Sequence, residues 1–406
     1  MSVLFACSGS SMNGKAPPPS DGAAATAGRS ASSGVGAAGD AGMIARAGSD
    51  ATAAIGGSGP IAGVGAAAVG GSGESADAGH PLSGSGGTDA GEADSGGGAA
   101  PPLDEGPLFP ANHAASICPD PPMRLHFSAA PTVANTGKLR VFKMSDSSAP
   151  VATVDFAATT SMANVGGAAL TLARPVYIDG DDVIVRLPPH ALTYGQTYYV
   201  TLDAGAVKAP DGTSVTISDD DAWQFSTRDK APSDLSALRV ALDGSGEFCS
   251  IQGALDALPT DNSAASVITI GVGTYYENIH VSGKSAFTLH GEDRKATIIL
   301  GTNNNDLNGS TSTRPLVYIE KAKSVVIEDL TIHNLTPQGG SQAEALGMQA
   351  CDQCVIRHAD ILSLQDTLLW SGRIYANDCY IAGNVDFVWG TGAAYFDHCE
   401  IKTVGR

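Results

Sequence analysis

Two aspartates sit among mostly apolar neighbours: Asp366 in SLQDTLLW and Asp386 in GNVDFVWG. Gln365 precedes the first, and Gln342 lies upstream in SQAEALG. Asp386 is flanked by Val385, Phe387, Val388 and Trp389. A charge buried in such a run without a partner is costly, so the run predicts a buried carboxylate kept for a purpose. Paired carboxylates serve glycoside hydrolysis and also ester hydrolysis through an aspartyl nucleophile. The two primary amides favour the ester. Their N–H groups can stabilise the oxyanion that forms on an attacked carbonyl, whereas an oxocarbenium-like transition state is positive and would not benefit. Other chemistries lack their residues. There is no G-x-S-x-G, so a nucleophile elbow is excluded. The Gly-containing stretch Asn303–Gly309 has no phosphate-loop Lys. Cys351 and Cys354 form a C-x-x-C with no second pair for zinc and no βαβ context, and read as structural. His358 and His398 read as a solvated face rather than metal ligands. Neither a metal nor a cofactor is called for.

The elements that must position these groups form a repeat. Four hexads share one template: IEDLTI (327–332), IRHADI (356–361), ANDCYI (376–381) and FDHCEI (396–401). The last three start at equal intervals, and the first interval is somewhat longer. The step from Asp366 to Asp386 equals the shorter interval. Self-similarity at a nearly fixed period marks a solenoid. The repeats are β-rich and have no helical pattern between them, which predicts a parallel β-helix whose coils stack about 4.8 Å apart. Only the segment near Ser250–Leu258 reads as helix, suited to capping an open end of the stack. The same ruler places Gln342, then Gln365 with Asp366, then Asp386 on successive coils of one face. It also places Cys379 above Cys399, within reach of a disulfide; two reduced buried thiols are the alternative.

The rest of the chain is organised differently. The whole has 406 residues and a formal charge of −19, which argues against a nucleic-acid partner. Most of the excess among its 50 glycines lies in the first quarter. Residues 1–105 open with LFAC, a lipobox-like pattern that would make Cys7 a lipidation site and allow attachment to a membrane. An Ala/Gly/Ser-rich segment without aromatics follows, read as a disordered tether with a reach on the order of 50 Å. Residues 106–230 hold short alternating runs such as KLRVFKM, QTYYVTLD and WQFST between turn signals, the pattern of a β-sandwich. That segment resembles bacterial Ig-like modules. Its acidic runs Asp179–Asp182 and Asp219–Asp221 read as solvated turns rather than calcium sites. Residues 231–406 carry the solenoid.

From VALDGSGEFCSIQGALDALP (240–259) onward, the chain resembles the pectin methylesterases. GTYYEN (273–278), QAEALG (342–347), QDTLL (365–369) and GNVDFVWG (383–390) follow in the family's order. The resemblance implies an all-β fold, a right-handed parallel β-helix with an acidic active site in a surface cleft. It implies Asp386 as nucleophile, Asp366 as general acid/base, Gln342 and Gln365 as stabilisers of the tetrahedral intermediate, and Tyr275 and Trp389 as substrate-binding residues. The substrate would be methyl-esterified pectin, acted on by a secreted or cell-surface monomer. A Cys379–Cys399 bridge also matches some bacterial members. Trp389 stands where the family usually has Phe, and Leu369 where it often has Tyr. The family's L-G-R-P-W segment, whose Arg holds the nucleophile, is not found, and Val404–Arg406 is not its equivalent. The expectation is an incomplete β-helix whose carboxylate pair lacks a counter-charge, inactive without further coils. The rival readings are a non-catalytic polysaccharide-binding β-helix and an esterase of the same scaffold with another substrate.

Overall fold

The computed structural model describes residues 107–405 and the backbone of Val3–Phe5. Cys7 and the Ala/Gly/Ser-rich segment lie outside the described residues.

Residues 107–230 form two main antiparallel-rich sheets. One has the strand order Val176–Asp179, Asp182–Val185, Met123–His126, Leu108–Phe109. The other centres on the long strand Thr197–Lys208, flanked by Lys138–Lys143 and Gln224–Thr227. Alternation drives the packing: in Lys138–Lys143, Leu139 and Val141 are fully buried while the residues between them are not. Trp223, Tyr198 and Phe225 join them in one apolar core, and the Trp223 indole N–H is satisfied by the Pro110 carbonyl at 2.8 Å. A separate hairpin, Thr160–Val165 with Ala168–Ala173, turns on Gly166 and Gly167, both at positive φ.

From Ala237 the chain winds into stacked coils. Parallel strands pair in the order Ala237–Val240, Ser266–Ile270, Phe287–Gly291, Val326–Glu328, Leu346–Arg357, Leu368–Asn377, Val388–Asp397. A second parallel sheet runs from Gly273–Tyr276 through to Glu400–Thr403. The hexads lie in register. Leu289, Ile327, Ile356, Ala376 and Phe396 form one column. Ile299, Ile332, Ile361, Ile381 and Ile401 form another. The first four of the second column are fully buried, and Ile401 is 39% exposed. Each buried Ile contributes roughly 1.5–3 kcal/mol, so the columns both stabilise the stack and fix its register. Val3–Phe5 lies antiparallel on Ala394–Phe396.

Among the described residues one helix, Ile251–Ala257, sits at the first coil. Its free N–H groups are used: Ser250 Oγ accepts from Gly253, and the Glu277 carboxylate accepts from Ile251 and Gln252 at 2.9 and 3.0 Å. The sandwich is tied to this corner. Asp120 accepts from the backbone of Cys249 and Ser250. Arg228 donates to Gly246 O at 2.6 Å, and Cys118 is bridged to Cys249 with a Cα–Cα distance of 5.8 Å.

The expected Cys379–Cys399 bridge is not formed. Cys379 and Cys399 do stack, next to the paired Tyr380 and Glu400, but both are free thiols. Cys379 Sγ is turned toward the carbonyls of Asn377 and Ile356, and Cys399 Sγ toward those of Asp397 and Ala376, at 3.3–3.5 Å. Cys351 and Cys354 are buried thiols of the core. The Cys118–Cys249 bridge closes a loop of 131 residues, which in the chain-entropy treatment stabilises the fold by about 4–5 kcal/mol. Non-reducing peptide mapping of alkylated protein should recover a Cys118–Cys249 linked peptide, with Cys379 and Cys399 both alkylated. A Cys379–Cys399 linked peptide would contradict this arrangement.

Candidate active site

The coil-to-coil step brings the sequence-identified residues to one face. Gln365 and Val385 form a parallel bridge, and Asp366 N–H donates to Val385 O at 2.9 Å, so Asp386 follows Asp366 one coil on. Ala343 N–H donates to Gln365 O at 3.2 Å, which puts Gln342 on the coil before. Asp366 and Asp386 have φ of 63° and 48°. This left-handed bend is one that Asp tolerates better than most residues, and it lifts each side chain off the strand line.

Local packing fixes these bends. Thr367 Oγ1 donates to Ala382 O at 3.1 Å, and Ser363 Oγ to Ala343 O at 2.6 Å. Gly383, the first residue of GNVDFVWG, is required by close approach: a Cβ there would lie 2.2 Å from Phe387 Cβ and 2.4 Å from Thr367 Oγ1. Leu369 and Trp389 are paired in register.

The environments of the two aspartates differ. Asp366 is buried, 6% exposed. Asp386 is exposed and Val385 is 50% exposed, so the apolar run around Asp386 is not a buried one. The bend turns Val385 and Asp386 outward, while Phe387 packs against the core. Gln342, Gln365 and Trp389 are half-buried between these extremes.

Tyr275 is not at this face. It is 1% exposed, inside the first coils, with its hydroxyl donating to Gly271 O at 3.0 Å. It is a core residue, and the expectation that it binds substrate is corrected. In Gly273–Tyr276 the inward position falls on Tyr275, which a pair of adjacent tyrosines does not reveal.

Sequence reasoning missed two residues of the site, Arg314 and Glu344. The Arg314 guanidinium grips Glu344 through Nε (2.9 and 3.0 Å to the two oxygens) and Nη2 (2.7 Å). The same Nη2 donates to Asp366 Oδ2 at 2.9 Å. Nη1 reaches Asn305 Oδ1 at 3.4 Å, and the guanidinium lies 5.8 Å from the centroid of the Trp389 ring. The carboxylate pair therefore has a counter-charge within the described residues, contrary to expectation. Arg314 comes from the loop between Thr297–Gly301 and Val317–Glu320. Asn303 Nδ2 holds that loop by donating to Thr313 O and Pro315 O on either side of Arg314. Asn308 donates to Asn303 Oδ1 and also exchanges two hydrogen bonds with the backbone of Thr171 in the sandwich hairpin. The sequence signals were a lone Arg before Pro315 in a polar loop, and an acid inside the apolar part of QAEALG.

Burial pushes the Asp366 carboxyl up to about 6, the Glu344 charge adds to the rise, Arg314 opposes it, and Asp386 contributes less. A carboxyl that holds a proton near pH 6 can act as an acid, and an exposed carboxylate one coil away can act as a nucleophile. His358 pairs with Asp329 and His398 with Asp397, all at least partly in solvent.

Residues 237–405 match the family model described as Pectinesterase. Pectinesterase 31 of Arabidopsis thaliana is 33% identical over 175 residues, covering 40% of this chain and 55% of the relative. Probable pectinesterase 56 of Arabidopsis thaliana is 37% identical over 184 residues, covering 44% and 62%. Among solved structures, pectin methylesterase from carrot is 30% identical with a TM-score of 0.39, covering 43% of this chain and 54% of that one. The chain thus spans less than two thirds of the curated relatives it matches. Residues 237–405 are thus the part of the chain that is similar to the pectinesterase family.

Proposed function

We propose that the β-helix carries out hydrolysis of the C6 methyl esters of polygalacturonate, releasing methanol and leaving the free acid. The observation that carries this reading is the pairing of a buried, proton-holding Asp366 with an exposed Asp386 one coil away. An Asp386 oxygen attacks the ester carbonyl. The oxyanion that forms is stabilised by the amide N–H groups of Gln342 and Gln365. As the C–O bond to the methoxy group breaks, Asp366 gives that oxygen its proton, and methanol leaves. The enzyme is left acylated as a mixed anhydride. Asp366, now a carboxylate, takes a proton from water as the water oxygen attacks. This step regenerates Asp386, frees the product acid and restores the proton on Asp366. The Cys118–Cys249 bridge supports placing the protein in an oxidising, extracytoplasmic compartment.

Asp386→Asn should abolish methanol release from methyl-esterified pectin while circular dichroism stays unchanged. Activity within about tenfold of wild type would remove Asp386 from the nucleophile's role, since loss of a nucleophile costs far more. Binding of pectin with no methanol release by the wild type would favour a non-catalytic β-helix. Replacing Gln342 or Gln365 by Ala should lower kcat by on the order of 10²-fold; a rise in KM alone would mean a ground-state binding role. Asp366 must be protonated to expel methanol, so kcat/KM should fall as pH rises through about 6. A profile flat from pH 5 to 8 would contradict that assignment.

A further inference from the structure

Asp366 and Glu344 share one guanidinium, and the sharing is unequal. Glu344, fully buried, takes three of the contacts, through Nε and Nη2. Asp366 receives one, from Nη2. Arg314 itself is 8% exposed. With both acids ionised, this buried triad carries one negative charge; with one proton it is neutral. Low-dielectric surroundings favour the neutral form. The proton belongs on the acid with the weaker grip on the cation, because the fork-on-fork contact to Glu344 is the stronger one. The charged groups facing Asp366 are Glu344 from the coil before, Arg314 from the preceding loop and Asp386 from the coil after, with the neutral Gln365 amide beside it. Had Arg314 faced Asp366 alone, the pair would have been neutral with Asp366 ionised, and the acid required for methanol departure would have been missing.

The local chain geometry admits Glu344 to this position. Ala345 N–H and Leu346 N–H both donate to Thr367 O, and Ala343 N–H donates to Gln365 O. The register therefore holds without a shift up to Leu346, which pairs with Leu368, and it sets Glu344 level with Asp366 on the neighbouring coil.

We propose that Glu344 is a positioning residue for the esterase reaction: it occupies the fork of Arg314, so that the cation orients Asp366 without taking its proton. This rests on the function proposed above, and its test separates the two. In the 406-residue protein, the Asp366 carboxyl can be followed by 13C NMR in protein labelled at aspartate Cγ, with Asp366→Asn identifying the resonance. Glu344→Gln leaves Arg314 to Asp366 alone and should lower the titration midpoint of Asp366 by about one pH unit or more. Arg314→Gln should raise it by a similar amount, and Arg314→Gln with Glu344→Gln should return it to within about half a unit of wild type. The opposed shifts mean that either single variant, if it folds, is decisive. An unchanged midpoint in a folded single variant would overturn the proposal. In the same protein, the alkaline limb of kcat/KM should move to lower pH in Glu344→Gln and be restored by Glu344→Asp. A merely structural Glu344 would lower activity without moving the limb. NMR shifts as described, in a protein that releases no methanol in any form, would leave standing Glu344's hold on Arg314 and its effect on the Asp366 proton, and would remove the esterase reading.

Discussion

In a stack of parallel coils a residue meets its counterpart in the next coil at strand spacing, about 4.8 Å. Everything at the candidate site depends on that constraint. It sets the two buried columns that hold the coils in register, Leu289 to Phe396 and Ile299 to Ile401. It brings Asp366 beside Asp386, although neither belongs to a conventional strand pair and both occupy left-handed bends. A slip of one residue between coils would replace Asp386 by Val385 or Phe387. The apolar columns, Gly383 and the hydroxyls of Ser363 and Thr367 guard against that slip.

The site is then an exercise in counting charge under burial. Removing one partner of a buried, hydrogen-bonded ion pair typically costs about 3–5 kcal/mol, so Arg314, Glu344 and Asp366 are coupled in stability as well as in charge. The loop that carries Arg314 is held from two sides. Asn303 grips the carbonyls flanking it, and Asn308 is fastened to Thr171 of the sandwich hairpin. The sandwich therefore takes part in holding the site, together with the Cys118–Cys249 bridge and the Asp120 contacts at the first coil.

How much was legible in the sequence follows from how local each signal is. The hexads carry their own period, and the coils stack as that period requires; the segment near Ser250–Leu258 was read as helical and holds the helix Ile251–Ala257. The Asp366–Asp386 pairing was legible for the same reason. Arg314 was not, because it reaches Asp366 across 52 residues from a loop with no period. Glu344 was quoted within its motif but left unread, because an acid among Ala and Leu has no partner in view until the loop folds over it. The stacked Cys379 and Cys399 satisfy a distance test locally without being bonded, and the Cys118–Cys249 bridge was not read because it is made by a packing of the sandwich on the coils that no spacing announces. Tyr275 and Asp386 were placed on the wrong sides of the surface: alternation gives two faces of a strand, but not which is inward, and a left-handed bend interrupts it altogether.

In the proposed reaction Asp386 becomes acylated while Asp366 handles the proton. An aryl ester of an oligogalacturonate has a leaving group that needs no acid. Asp366→Asn protein should therefore still be acylated by it, yet lack the base that completes hydrolysis. Quenching with hydroxylamine and mapping the peptides by mass should then find an aspartyl hydroxamate at Asp386 and nowhere else. Turnover of the aryl ester at the wild-type rate with no modification at Asp386, or modification at a different residue, would contradict the account.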